Sequence, residues 1–381
     1  MKLNNKGFAI SGVLYPLFIL FLILILGVIG TLSAAKAVLD ANKYEVIDKL
    51  NVGRIETVDV LVVAGGGSGA STMSEHKGGG GGAGGLVFIP NYQVPVYSTV
   101  PVYVGAGGEA KEESQYDSGL RHHGENGENS FFGELIALGG GGGIRTAQHP
   151  GHDGIGGSGG GGHYAAPGGQ PLQRTSLSGG FGNVGGSRVE DSMGFGGGGA
   201  GTPGMGDDAL PLDGRVQLGR AAGGQGMYEV IIEGKVYDFR EIFGSPSVGH
   251  LVGNQLWFAG GGGSGLAETG HQSYGAGGHG GGGRGAYRSA RLNTPTHYIN
   301  SGETDPNYVW GINSAKGEDA MPNTGGGGGG ARGGESGAGG SGVVIVRYEG
   351  PQKALGGEIF THNGYTIHVF SNVGGHIFRL I

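Results

Sequence analysis

The chain has 381 residues, long enough for one large domain or two ordinary ones, and 95 of them are glycine. It lacks cysteine altogether, which excludes disulfides, thiolate metal sites and thiol nucleophiles. The net charge of −7 comes without any basic cluster, which argues against nucleic acid as a partner. Proline stands at 14 and no Gly-X-Y register persists, so a collagen helix is excluded as well. Only 14% of residues are charged, while 14 Phe and 15 Tyr accompany many Val/Ile runs. Disordered chains show the opposite balance, so a packed protein is expected.

Residues 1–7 form a short leader, and Lys2 and Lys6 flank the first apolar run on its N-terminal side. From Val13 to Leu32 (VLYPLFILFLILILGVIGTL) the chain is almost wholly apolar. Twenty helical residues at about 1.5 Å each cross a hydrocarbon core of about 30 Å, so residues 8–33 are expected to be a transmembrane helix. The flanking lysines predict the N-terminus inside and the rest of the chain outside, as a single-pass protein of the cell membrane. Ser33-Ala34-Ala35 resembles a signal-peptidase site, but the apolar run is longer than a secretory signal needs.

Lys6-Gly7-Phe8 ahead of a long apolar helix resembles the processing site of type IV prepilins. The resemblance implies cleavage after Gly7, a mature N-terminus at Phe8 and pilus components as partners. It departs at Gly12, where that family usually carries the glutamate used in filament assembly. Residues 34–54 are then expected to continue as a helical stalk, with Ala35, Val38, Leu39, Asn42, Val46 and Leu50 at three- and four-residue spacing; a short solvated linker is the alternative.

From Ile55 onward short apolar runs alternate with glycine tracts. Val58 to Ala64 enters Gly65-Gly66-Gly67, Phe131 to Leu138 enters Gly139 to Gly143, and Leu256 to Ala259 enters Gly260 to Gly263. The order reverses where Gly84-Gly85 leads into Leu86 to Ile89 and where Gly339 to Gly342 leads into Val343 to Tyr348. Val100, Val102 and Val104 alternate as one face of a strand, and Tyr228 to Phe239 reads as a hairpin turning at Glu233-Gly234. Runs of four to six glycines fit neither an α-helix nor a sheet interior, where each costs about 0.5–1 kcal/mol against alanine. An extended helix of three residues per turn remains, provided several tracts pack together and bond one another; flexible linkers are the alternative.

VDVLVVAGGG (58–67), GGGGGAGGLVF (78–88), VYVGAGG (102–108) and GGSGVVIVRY (339–348) together resemble the glycine-rich domains of bacterial and phage surface proteins. They are more distantly similar to the glycine-rich region of the anaplastic lymphoma kinase receptor. The resemblance implies a mainly β fold over 55–349, a jelly-roll-like sandwich from which a polyglycine II bundle projects, and a role in binding or adhesion. The tail 350–381 carries Asn363-Gly364, a strong hairpin signal. Its strands are expected either to join the same sandwich or to stand as a separate hairpin.

Enzymatic motifs fail on context. Gly65-x-Gly67-x-x-Ala70 after a strand mimics a dinucleotide fingerprint, but a short polar stretch and five glycines follow where a phosphate-binding helix must open. His122-His123, His149…His152 and Asp207-Asp208 lack the ligand spacing of a zinc or calcium site, so no metal and no cofactor is expected. The candidate binding loop runs from Arg284 to Asn323, where glycine thins out and Tyr287, Arg288, His297, Tyr298, Tyr308 and Trp310 stand among Asn and Pro. Rigid rings beside Arg and Asn suit recognition, although the same rings could cap the sandwich core. The chain therefore reads as a non-catalytic, membrane-anchored extracellular protein that binds a protein or glycan; the alternative is a minor pilin-like subunit of a surface filament.

Overall fold

The computed structural model describes residues 57–71, 78–94, 99–111, 123–145, 153–163, 166–187, 194–206, 221–268, 275–289, 316–331 and 334–381, with the side chains of 266–268 and 287–289 left out. All of them belong to one compact unit, Ile55–Ile381. Among these residues no helix is long and apolar enough to cross a membrane. The expected transmembrane helix 8–33 and stalk 34–54 lie outside the described residues.

The unit is mainly β. One sheet has Glu358–His362 (β14), Tyr365–Phe370 (β15), Val343–Glu349 (β12), Thr57–Val63 (β1) and Leu86–Gln93 (β2), in that spatial order. The second has Ala354–Leu355 (β13), Gly374–Leu380 (β16), Thr99–Val104 (β3), Ser130–Phe132 (β4) and Leu135–Ala137 (β5). Every pairing within both sheets is antiparallel.

Strand β1 shows why the first sheet sits in the middle of the molecule. Its sequence TVDVLVV is apolar on both faces, the pattern of a strand buried on two sides. Val58, Val60 and Val62 enter the core between the sheets, with Val100, Val102, Phe132 and Phe378. Leu61 and Val63 enter a second core on the opposite face, with Phe88, Ile345 and Ile367. Asp59 is the polar exception. Its carboxylate pairs with Arg347 Nε at 2.8 Å, directly across the β1–β12 ladder, and accepts the Asn91 N–H at 2.9 Å.

The second core is closed by Glu229–Ile232 (β6), Lys235–Asp238 (β7), the short helix Phe239–Phe243 (α1), His250–Val252 (β8) and Gln255–Trp257 (β9). The β6–β7 turn is the expected Glu233-Gly234, with φ of 50° and 80°, both in the left-handed region that a type I′ hairpin needs. Helix α1 starts where Asp238 Oδ1 accepts the N–H groups of Arg240 and Glu241 at 2.7 and 3.2 Å, an N-cap worth about 1 kcal/mol. It delivers Phe239 and Phe243 onto Phe88, at ring separations of 5.8 and 6.4 Å. The sequence pattern ended the hairpin at Phe239 without a helix, because five residues are too few to show a 3.6-residue period.

One further expectation changes. Phe131 to Leu138 is not one strand but the β4–β5 hairpin, broken at Gly133 with φ 57°. In the tail 350–381, β14 and β15 extend the first sheet and β13 and β16 the second.

The glycine tracts between the strands are ordered by one another. In tract 78–85, the N–H groups of Gly79, Gly82 and Gly85 donate to the carbonyls of Ile144, Gly141 and Leu138. Those of Gly78, Gly81 and Gly84 donate to Ala331, Gly328 and Gly325, and those of Gly80 and Ala83 to Phe195 and Gly198. The carbonyls follow the same three-residue rotation, accepting from tracts 64–70, 158–161 and 262–265. One tract thus bonds six neighbours, each met at every third residue.

Such spacing leaves no room for side chains. A Cβ on Gly79, Gly80 or Gly81 would lie 2.0–2.1 Å from a neighbouring carbonyl oxygen, inside any allowed contact. None of these three residues has φ in the left-handed range. Glycine is needed here for close approach, not for an unusual backbone angle.

Candidate functional site

The tracts are continuous with the strands. At one end β1 runs into 64–71, β3 into 105–111 and β5 into 138–145, while 78–85 leads into β2, 123–129 into β4 and 334–342 into β12. The opposite ends lie beyond the sandwich.

At that distal end a continuous set of backbone hydrogen bonds joins segments from the whole chain. Gly78 N–H donates to Ala331 at 2.9 Å, Gly79 to Ile144 at 3.2 Å, Ile144 to Gly161 at 2.9 Å and Gly265 to Gly78 at 3.0 Å. Phe195 donates to Gly162 at 3.0 Å, Ser264 to Ala221 at 2.8 Å and Ser336 to Lys111 at 2.9 Å. Ser71 Oγ reaches the Gly334 carbonyl at 2.6 Å. These residues stand just inside the points where the chain leaves and re-enters the described residues around 72–77, 112–122, 146–152, 164–165, 188–193, 207–220, 269–274, 290–315 and 332–333. The described residues on either side of these stretches therefore lie at the same end of the glycine bundle.

Ion pairs brace this end: Lys111 with Glu125, Lys316 Nζ with Glu335 at 3.1 Å, and Arg284 Nε with Glu318 at 3.5 Å. Each links two different tracts. All are partly exposed, so each contributes about 1 kcal/mol at most and serves register more than stability.

The candidate loop begins here. Tyr287 and Arg288 lie in Tyr287–Ser289 (β11), which pairs in parallel with Leu266–Glu268 (β10), Leu266 opposite Tyr287 and Ala267 opposite Arg288. Ala286, immediately before, donates to Gly330 at 2.8 Å and fixes β11 to the end of the bundle. His297, Tyr298, Tyr308 and Trp310 lie outside the described residues, as do Gly7 and Phe8. His123 is buried, and its Nδ1 accepts the Arg145 N–H at 3.2 Å. His122, His149, His152, Asp207 and Asp208 are outside the described residues. After β1, residues Gly65 to Ser71 run on as an extended tract in which Gly67 donates to Gly82, so no helix opens there to hold a pyrophosphate.

Sequence spacing did not reveal an aromatic cluster on the covering hairpins. Trp257 packs on Tyr228 at 4.7 Å and on His279 at 5.2 Å, with His250 6.1 Å beyond. Burial and the neighbouring Glu229 carboxylate push the Tyr228 phenol up. His250 Nδ1 accepts the N–H groups of Gly280 and Gly281, both at 3.2 Å, which ties the cluster to the glycine bundle. Its members come from three separate segments with no shared period, so no local signal marks them.

No curated protein and no solved structure gives a significant match to the chain. A family model described as a glycine-rich domain matches residues 50–349, the span that holds β1 through β12 and every glycine tract detailed above. The chain belongs to this glycine-rich domain family.

Proposed function

We propose that the chain is a membrane-anchored extracellular binding or adhesion protein without a catalytic role. In this reading the two sheets form a jelly-roll-like base, and the tracts form a polyglycine II bundle that holds recognition loops away from it. The observation that carries the proposal is the distal end itself, where backbone hydrogen bonds join described segments from along the chain at one end of the bundle. A rigid scaffold displaying many loops at one end is the usual arrangement for recognition. The period-three bonding to six neighbours supports the polyglycine II assignment, since a helix with three residues per turn repeats its direction every third residue.

Tyr287, Arg288, His297, Tyr298, Tyr308 and Trp310 are the candidate contact residues for an extracellular protein or glycan. The apolar stretch 8–33 supplies the anchor in membrane lipid. External protease on intact cells then removes the glycine-rich domain and spares an N-terminal tag; protection of the whole chain contradicts this topology. Replacing Tyr308 and Trp310 by alanine lowers adhesion of expressing cells while leaving the melting temperature unchanged. Equal adhesion with an equal melting temperature removes the loop from the account.

The Lys6-Gly7-Phe8 pattern supports a second reading, a minor pilin-like subunit carrying the same head on a surface filament. Its test is the intact mass. A mature N-terminus at Phe8 supports the pilin reading, and a chain retaining Met1 excludes it without touching the anchor.

A further inference from the structure

The two outer faces of the sandwich are unlike. That of the first sheet is covered by α1 and the β6–β7 and β8–β9 hairpins. The second sheet packs mainly against the first sheet, and segment 173–178 bonds along its β5 edge, where Ser178 Oγ accepts the Ile136 N–H at 2.8 Å and Gln173 Nε2 donates to the Ile136 carbonyl at 3.3 Å. Its outer face nevertheless carries Pro101, Tyr103, Phe131, Ile136 and Ile377, with Ile136 40% and Ile377 56% exposed. Strand alternation puts these residues on one side: Val100, Val102, Phe132 and Phe378, their neighbours in sequence, all point into the core. A contiguous apolar sheet face left bare in this way marks an interaction surface.

The registers show what fits it. Gly375 pairs with Tyr103, and Tyr103 with Phe131, so these three lie in one row across β16, β3 and β4. Phe131, its ring stacked on Tyr103 at 5.6 Å, fills the row on the β4 side, whereas Gly375 has open space where a Cβ would be. One step further from the bundle Ile377 pairs with Pro101, and one step beyond that Arg379 pairs with Thr99. Glu134, in the β4–β5 turn, sits beside Gly133, whose N–H donates to the Pro101 carbonyl at 2.9 Å. Arg379 and Glu134 are therefore at nearly the same height, on opposite sides of β3. Both are exposed, and neither has an ion-pair partner among the described residues.

We propose that this face is an interface between two copies of the chain, packed sheet to sheet about a two-fold axis running along β3. That axis keeps height and exchanges sides, so β16 of one copy faces β4 of the other. Phe131 of each copy enters the space left by Gly375 of its partner, and Arg379 of each lies against Glu134 of its partner. Pro101 and Tyr103, on the axis, meet their own counterparts. A two-fold axis across the strands would instead set Arg379 over the Gly375 row and leave both charges unpaired against apolar surface, which is unfavourable. The two-fold along the strands points both glycine bundles the same way, so a dimer displays two distal ends side by side. The proposal does not depend on what those ends bind or on the N-terminal anchor.

The face is only about three strand spacings wide, roughly 15 Å, so association in solution is weak and is best read by cross-linking. Because the chain has no cysteine, single-cysteine variants of the full chain in detergent micelles report cleanly with a short bismaleimide. Pro101→Cys is expected to cross-link as a homodimer far above Leu251→Cys, which is 53% exposed on the covering hairpin of the other face. Thr99→Cys, exposed on the same strand, serves if Pro101→Cys fails to match the wild-type melting temperature. Within the cross-linking variant, Arg379→Glu or Glu134→Arg alone should cut the dimer yield about threefold or more, and the two together should restore it. Dimer yield from the β3 cysteine at the Leu251→Cys level overturns the proposal, as does a double swap that fails to restore it.

Discussion

A single added methyl group is the sharpest probe of the glycine lattice. At Gly327 a Cβ would lie 2.0 Å from the Gly81 carbonyl oxygen, in a region where Gly81 donates to Gly328 and accepts from Gly262. Separating these backbones leaves buried N–H and C=O groups unpaired, at about 1–3 kcal/mol each. Gly327→Leu is therefore expected to lose several kcal/mol of stability or to prevent folding. Gly375→Ala meets nothing within 4 Å and has φ outside the left-handed range, so its effect on stability is expected to stay within about 0.5 kcal/mol. Thermal unfolding of both against wild type checks the contrast, and equal midpoints would mean that the tracts are linkers.

Burial of a histidine makes a second residue-scale prediction. Tyr348 Oη accepts the N–H groups of Lys353 and Ala354, at 2.9 and 3.1 Å, and lies 3.0 Å from His368 Nε2. With both acceptor positions used, the phenol donates to Nε2, and Nδ1–H donates to the Gly356 carbonyl at 2.7 Å. The network thus assigns a neutral tautomer, and burial pushes the His368 pKa below its ordinary 6.5. A group with a lowered folded-state pKa that is neutral when deprotonated contributes its full stability above about pH 6.5, losing it as pH falls toward the folded value, by at most about 1.4 kcal/mol per pH unit. His368→Gln is expected to flatten the decline in melting temperature as pH falls below about 6.5. An unchanged decline would mean that other groups govern it. None of this was legible in the sequence, where His368 is one of 13 histidines and nothing local marks its partners.

Among the elements, the strands were readable wherever burial has a period. Val100, Val102 and Val104 alternate in sequence and all three enter the core. Asn363-Gly364, with φ of 49° and 82°, makes the β14–β15 turn that its composition demands. Helix α1 and the β8–β9 hairpin were missed because each is too short to repeat a pattern. The tail's destination was left open for a different reason: a hairpin signal is local, whereas its partners β12 and β3 lie far away in sequence. The structure makes the tail indispensable, since β16 brings Phe378 and β15 brings Phe370 into the core between the sheets. A chain ending at residue 349, where the family match also ends, is expected to be protease-sensitive and unfolded. A truncated chain that melts cooperatively like wild type would contradict this.

Over the whole molecule, composition and order pointed to a β fold with glycine tracts, but not to which tracts would be neighbours. Glycine runs are nearly identical to one another, so pairing information resides in the strands that feed them. Once β1, β2 and β5 are placed by their apolar patterns, tracts 64–71, 78–85 and 138–145 start side by side and their backbones bond in step. The candidate loop residues were legible only as composition, and of these the structure describes Tyr287 and Arg288, through their backbone, at the distal end of the bundle.

Amide hydrogen exchange distinguishes glycine tracts that form a hydrogen-bonded bundle continuous with the sandwich from tracts that do not. In tract 78–85 every N–H from Gly78 to Gly85 donates to a carbonyl of another segment. These amides are expected to exchange as slowly as those of β1 and β12, opening only with global unfolding. Exchange at the rate of an unstructured chain, with β1 and β12 still protected, would contradict the account.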